Sequence, residues 1–151
     1  RSNTALGGYL ATNLGVPYLG DAGAAIRLSF QRQNNGSAHS TTSYNGYLLH
    51  GYGGGRTKGA KENKLSRLLA DNPDVDFCCM AHDHSRLVDE AFQAFYGRSR
   101  LYWRHRVAVM AGAFISNPRY ARRAGYPASY PGAVQLVFHP DRHTIGVRLE
   151  E

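Results

Sequence analysis

The sequence predicts an α/β fold in a single domain, with a parallel β-α-β unit at its centre and β-hairpins after it. Two patterns carry that prediction. The stretch from Tyr47 to Ser85 reads as strand, glycine-rich turn, helix and strand, and the second strand, Val75 to Met80, is continuously apolar after Asp76, as in a parallel strand buried on both faces. Beyond Ser85 the chain turns to runs rich in aromatic and β-branched residues separated by short turns, which is hairpin composition.

Size and composition set the frame. At 151 residues the chain suits one domain over positions 1–151, large enough for a sizeable core and too short for two. Apolar residues at 42% and charged residues at 19% are ordinary for a soluble globular protein. The formal charge of +7 favours polyanionic partners such as nucleic acid or phosphorylated substrates, although a merely basic surface accounts for it equally. Cys78 and Cys79 are the only cysteines and are adjacent in the buried strand, so they face opposite ways and read as packed thiols. With no signal peptide and no apolar run near the ~20 residues of a membrane span, a reducing cytoplasm and no membrane partner are expected.

Taken in order, the first element is a short helix over Thr4 to Asn13, followed by a loop through Pro17. Ala25 to Gln31 alternates Ile26, Leu28 and Phe30 against Arg27 and Ser29, the period of a strand with one wet face. Asn34 to Thr42, rich in Asn, Gly and Ser, is a hairpin turn feeding the strand that ends at His50. Gly59 to Ala70 is a helix with Leu65, Leu68 and Leu69 on one face, and Asp71-Asn72-Pro73 stops it. Arg86 to Tyr96 and Leu101 to Phe114 form a hairpin about Gly97-Arg98-Ser99. Ser116 to Pro131 is a basic, tyrosine-bearing loop without a strong period. A last hairpin joins Ala133 to Phe138 with Thr144 to Leu149.

The unit at the centre also concentrates histidine. A right-handed β-α-β crossover makes both strands end at the same edge, where open α/β sheets place their sites. His50 ends the first strand; His82 and His84 follow the second. Neutral imidazoles are common metal ligands, and in an extended segment His82 and His84 project to one side while Asp83 points away. An H-x-H by itself is weak, and surface loops contain it by chance. His39, His105, His139 and His143 share no such geometry and read as structural, and Asp141-Arg142-His143 reads as turn.

Two basic groups accompany the histidines. Gly54 and Gly59 have P-loop spacing, yet the match fails at Ala60-Lys61, which stands where a P-loop needs Lys and then Ser or Thr. Arg56, Lys58 and Lys61 near a helix start can attract phosphate, or can simply be solvated. Arg119, Arg122 and Arg123, with Tyr120 and Tyr126, suit a nucleic-acid backbone and its bases and equally suit a solvent-facing connection.

His50-Gly51 and Ala81-His82-Asp83-His84 resemble the strand-terminal H-G and the G-H-x-H of the calcineurin-like metallophosphoesterases. The stretch from His50 to Lys61 is similar to the H-G-x-G-G-G-R-x-x-G-A-K of phage-type and prophage-type members, and Gly112 to Pro127 to their late G-x-F...Y-A-x-x-x-G-Y-P segment. The likeness spans nearly the whole chain. It implies a β-sandwich flanked by helices and a pair of divalent transition metals, Mn, Fe, Zn or Ni, with His50 and His82 on one ion and His84 on the other. It further implies a phosphoester substrate, possibly DNA or RNA, cut by a phosphodiesterase or nuclease. Ala81 in place of glycine and Tyr52 in place of a second histidine are departures. So is the absence upstream of His50 of the family's D-x-H, G-D-x-x-D and G-N-H-[DE] motifs, which makes the chain look like the C-terminal part of such an enzyme. The competing expectation is a noncatalytic basic module that binds nucleic acid.

Overall fold

The structure, a computed structural model, describes residues 3–20, 23–32, 40–53, 55, 57–97, 99–114, 119–123, 125 and 131–150. Along these the elements are α1 (Asn3–Leu14), β1 (Ala24–Arg32), β2 (Ser40–Leu49), α2 (Lys58–Asp71), β3 (Phe77–Met80), β4 (Arg86–Tyr96), β5 (Leu101–Ala111), α3 (Arg119–Arg123), β6 (Ala133–His139) and β7 (Thr144–Glu150). The protein is α/β, as its sequence predicts. Most of the turn expected at Asn34 to Thr42 lies outside the described residues, as do Arg98 and much of the loop from Ser116 to Pro131.

One mixed sheet organises the molecule, in the order β1-β2-β3-β5-β4. β2 and β3 pair parallel, and β3 pairs parallel with β5, so that Leu49, Met80 and Met110 stand level at their carboxyl ends. β1 and β4 flank this centre antiparallel. Parallel neighbours need a crossover, and α2 supplies the one between β2 and β3. Thr57 caps α2 by accepting from the Ala60 amide, and the helix ends where Asn72 leaves helical geometry ahead of Pro73. β5 ends at Ala111 and does not continue to Phe114, because Gly112 turns to φ +81 with no room for a side chain: a Cβ there would lie 2.7 Å from the Gly132 oxygen.

Side-chain alternation sends each central strand to two cores. On one face Leu65 and Leu69 of α2 pack on Cys78, Met80, Ala108 and Met110, with Leu68 half-buried beside them. On the other, the β6-β7 hairpin brings Leu136, Phe138 and Ile145 onto Tyr44, Phe77, Val107 and Val109, with Cys79 beside them. The two cysteines thus face opposite layers as free thiols, and burial pushes Cys78 up to about 12 and Cys79 to about 11. Gly46 makes the second core possible, since a Cβ there would stand 2.3 Å from the Phe77 ring. Arg27 and Ser29 line the face of β1 that α2 does not reach, hydrogen-bonded to Asn45 and Ser43.

Two charged residues sit inside this frame. Arg106 is 1% exposed and donates to the carbonyls of Leu69 and Val75, each at 2.8 Å, to the Asn72 carbonyl and to Gln93 Oε1. It thereby adds a charged donor to the Leu69 and Asn72 carbonyls at the end of α2, whose backbone bonds are long. Asp76, also 1% exposed, accepts from the Asn45 amide at 2.7 Å and from Arg104 at 2.5 Å. Both residues tie the crossover to its neighbours at the amino-terminal edge of β3. Among the described residues no helix is long and apolar enough to cross a membrane.

Candidate functional site

The carboxyl edge of the parallel strands carries the histidines. Directly after β2, His50 is followed by Gly51 at φ +85, where a Cβ would meet Met80 Cγ at 2.6 Å. Only glycine fits that turn, and it folds the His50 segment against the end of β3. After β3 the chain makes a tight turn in which the Asp83 amide donates to the Ala81 carbonyl at 2.9 Å, with His82 between them at φ +70. Bond and angle together match a γ-turn of the rare, strained kind. His84 is left-handed as well, at φ +50. The sequence expectation of an extended H-x-H is therefore replaced by a coiled turn, and Ala81 before it is not at positive φ.

These turns bring two imidazoles together. His82 Nδ1 lies 3.0 Å from His50 Nε2, with the rings 5.0 Å apart and nearly perpendicular. His82 Nε2 faces Gly53, whose Cβ, were there one, would stand 3.2 Å away. His84 follows in the same turn, half-buried. A cleft of about 500 Å³ opens beside His50, lined by Gly23, Leu48, Cys79, Met80 and Ala111.

At 3.0 Å the two nitrogens share a hydrogen bond whose donor depends on the tautomer, and the spacing is also one that two ligands of a single ion can have. Metal–nitrogen bonds of ~2.1 Å meeting at a right angle set two donors about 3.0 Å apart. No group of three His, Cys, Asp or Glu side chains among the described residues could hold a metal by itself. Asp83 is not a donor to it. Its carboxylate turns to α2 and pairs with Lys64 at 2.5 Å, the two side chains 6% and 12% exposed.

The basic residues divide. Lys61, expected to display its ammonium to phosphate, is 7% exposed and donates to the Asp83 carbonyl and to Ser85 Oγ. Its apolar stem sits on the buried face of α2, which draws the head inward. Lys58 is exposed and pairs with Glu62 one turn on. Arg56 lies outside the described residues. Arg119, Arg122 and Arg123 are exposed on α3, in a segment that leaves β5 at the carboxyl edge and closes where the Gly132 amide meets the Ala113 carbonyl at 3.0 Å. Both ends of that segment belong to the histidine edge. The D-x-H of Asp141 and His143 lies in the β6-β7 turn at the other end of β2, where His143 approaches Asp76 at 3.6 Å. Lys64 went unremarked in the sequence; its place three residues after Lys61, on the same helical face, was the available signal.

No family model, curated protein or solved structure matches the chain.

Proposed function

We propose that the chain contributes part of the metal centre of a phosphoester hydrolase of the calcineurin-like kind, a phosphodiesterase or nuclease built on that family's β-sandwich flanked by helices. The observation that carries the reading is the His50–His82 pair, brought from the ends of two parallel strands to hydrogen-bonding distance, close enough to share an ion. A pair of divalent ions, Mn, Fe, Zn or Ni, would supply Lewis acidity and an activated water in such an enzyme. For its part the chain offers imidazole nitrogens from His50 and His82 to one ion and from His84 to the other. The carboxylates that complete such a centre come from outside the described residues. Arg119, Arg122 and Arg123, exposed on a segment rooted at the same edge, favour a polynucleotide backbone over a small monoester, which needs fewer cations. Lys61 is left out of the proposed phosphate contacts, because its ammonium donates to the Asp83 carbonyl and to Ser85 Oγ. Two free thiols suit the reducing cytoplasm in which we set the protein.

Two measurements test this. Equilibrium dialysis with Mn²⁺ and Ni²⁺ is expected to show weak binding that His50→Ala and His82→Ala each abolish, with negligible turnover of a generic phosphodiester by this chain alone; binding indifferent to both substitutions refutes the metal centre. Titration of single-stranded DNA binding with salt is expected to follow a slope of ~0.7 per phosphate contact, so that Arg119→Ala, Arg122→Ala and Arg123→Ala together lower it by about 2. A flat salt response leaves a small phosphoester as the substrate. Salt-dependent DNA binding without histidine-dependent metal binding favours the noncatalytic nucleic-acid module.

A further inference from the structure

The two histidine-bearing segments are not joined to each other by any strand ladder, yet both are tied to one side chain. Lys64, in the second turn of α2, donates from Nζ to the Tyr52 carbonyl at 3.0 Å and to Asp83 Oδ2 at 2.5 Å. Tyr52 stands two residues after His50, and Asp83 lies between His82 and His84. The same ammonium sits 5.0 Å from the centre of the Tyr52 ring. Asp83 is held at its other polar atoms too: its amide donates to Ala81, and its carbonyl accepts from Lys61 Nζ at 3.3 Å and from Ser85 Oγ at 3.2 Å.

This arrangement answers a physical question that the turn raises. Left-handed backbone at two non-glycine residues, His82 and His84, is unfavourable and persists only where the surroundings over-determine it. Hydrogen bonds to the atoms of Asp83 supply that determination, and in the water-poor base of the turn an ion pair is weakly screened. We infer that Lys64 is the positioning residue of the candidate centre: by clamping the Tyr52 carbonyl and the Asp83 carboxylate from a rigid helix, it fixes the spacing of His50 and His82 and the turn that presents His84. Lys61 assists from one helical turn before. The importance of this role for a metal rests on the metal-centre reading above; the clamp on the imidazole pair does not.

The test uses the full chain with Lys64→Met, Asp83→Asn and the double variant. Long-range ¹H–¹⁵N spectra without metal read the His50–His82 pair, and calorimetric titration with Ni²⁺ reads the donor set. Lys64→Met is expected to remove the paired-imidazole signature and to weaken Ni²⁺ binding roughly tenfold, within the range seen for groups that orient ligands. Asp83→Asn should do the same from the loop side, and the double variant should be no worse than either single one. A merely structural role would lower the unfolding midpoint and leave the folded protein's imidazole signals in place. Unmoved signals, with Ni²⁺ affinity within about twofold of wild type in both single variants, overturn the inference, twofold being well short of the effect expected for an orienting group. Should Lys64→Met fail to fold, Asp83→Asn decides alone. If the wild type takes up no Ni²⁺ while the imidazole signals still move in both variants, the metal-centre reading fails and the clamp stands.

Discussion

Replacing Arg106 by Met keeps most of the side chain's length and apolar bulk while removing every donor. In the native protein the guanidinium reaches four oxygens, those of Leu69, Asn72, Val75 and Gln93. Hydrogen bonds from a charged donor contribute about 1.5–3 kcal/mol each, which at the low end totals roughly 6 kcal/mol. Two effects reduce that figure. Burial lowers the Arg106 pKa, so the charge carries a desolvation cost that Met escapes. The Leu69 and Asn72 carbonyls also keep weak backbone partners, the amides of Asn72 at 3.3 Å and Val75 at 3.4 Å, and are not orphaned outright. We expect a net loss of about 3 kcal/mol, a factor of about 100 in the unfolding constant. In urea, with a slope near 2 kcal/mol per molar, the midpoint should fall by about 1.5 M with the slope unchanged. Arg100→Met, at an exposed position, should stay within about 0.5 kcal/mol. A midpoint for Arg106→Met within about 0.25 M of wild type would refute the reasoning, showing that relief of desolvation cancels the lost bonds.

The remaining predictions concern the backbone and the thiols. Gly51→Ala, with φ +85 and a Cβ 2.6 Å from Met80 Cγ, should cost about 2 kcal/mol in a urea titration and disturb the His50–His82 imidazole signals. Gly59→Ala, in the first turn of α2 with open space around it, should instead gain up to about 1 kcal/mol. A thiol reagent at pH 8 should label the fully buried Cys78 only as fast as the protein unfolds, and fast labelling of both thiols in the native protein would contradict that burial. Because both folded pKa values lie above the ordinary 9.0, the thiols' contribution to stability is complete below pH 9 and is lost as pH rises toward 11 and 12. The urea midpoint should therefore fall between pH 9 and 11.

What the sequence determined by itself was everything encoded in local period and turn chemistry. The leucines of α2 recur at helical spacing, Pro73 ends the helix, and the apolar run up to Met80 suits a doubly covered strand, so the parallel unit and the meeting of His50 with His82 were legible before any coordinates. The alternation in AIRLSFQ likewise announced a strand with one wet face, and the hairpins announced themselves by composition. Tertiary structure alone decided what depends on atoms distant in the chain. Lys61 reads as a surface cation beside glycines, but Asp83 and Ser85, in the turn after β3, take its ammonium inward. Arg106 sits in an alternating strand where a charge suggests a wet face, and only the arrival of the α2 carboxyl end over that face supplies the acceptors that bury it. The left-handed turn at His82 and His84 has no local signature, because neither residue favours it. It exists because Lys64, from another element, holds Asp83 between them; a period describes one strand or helix, whereas a clamp is a property of two elements brought together.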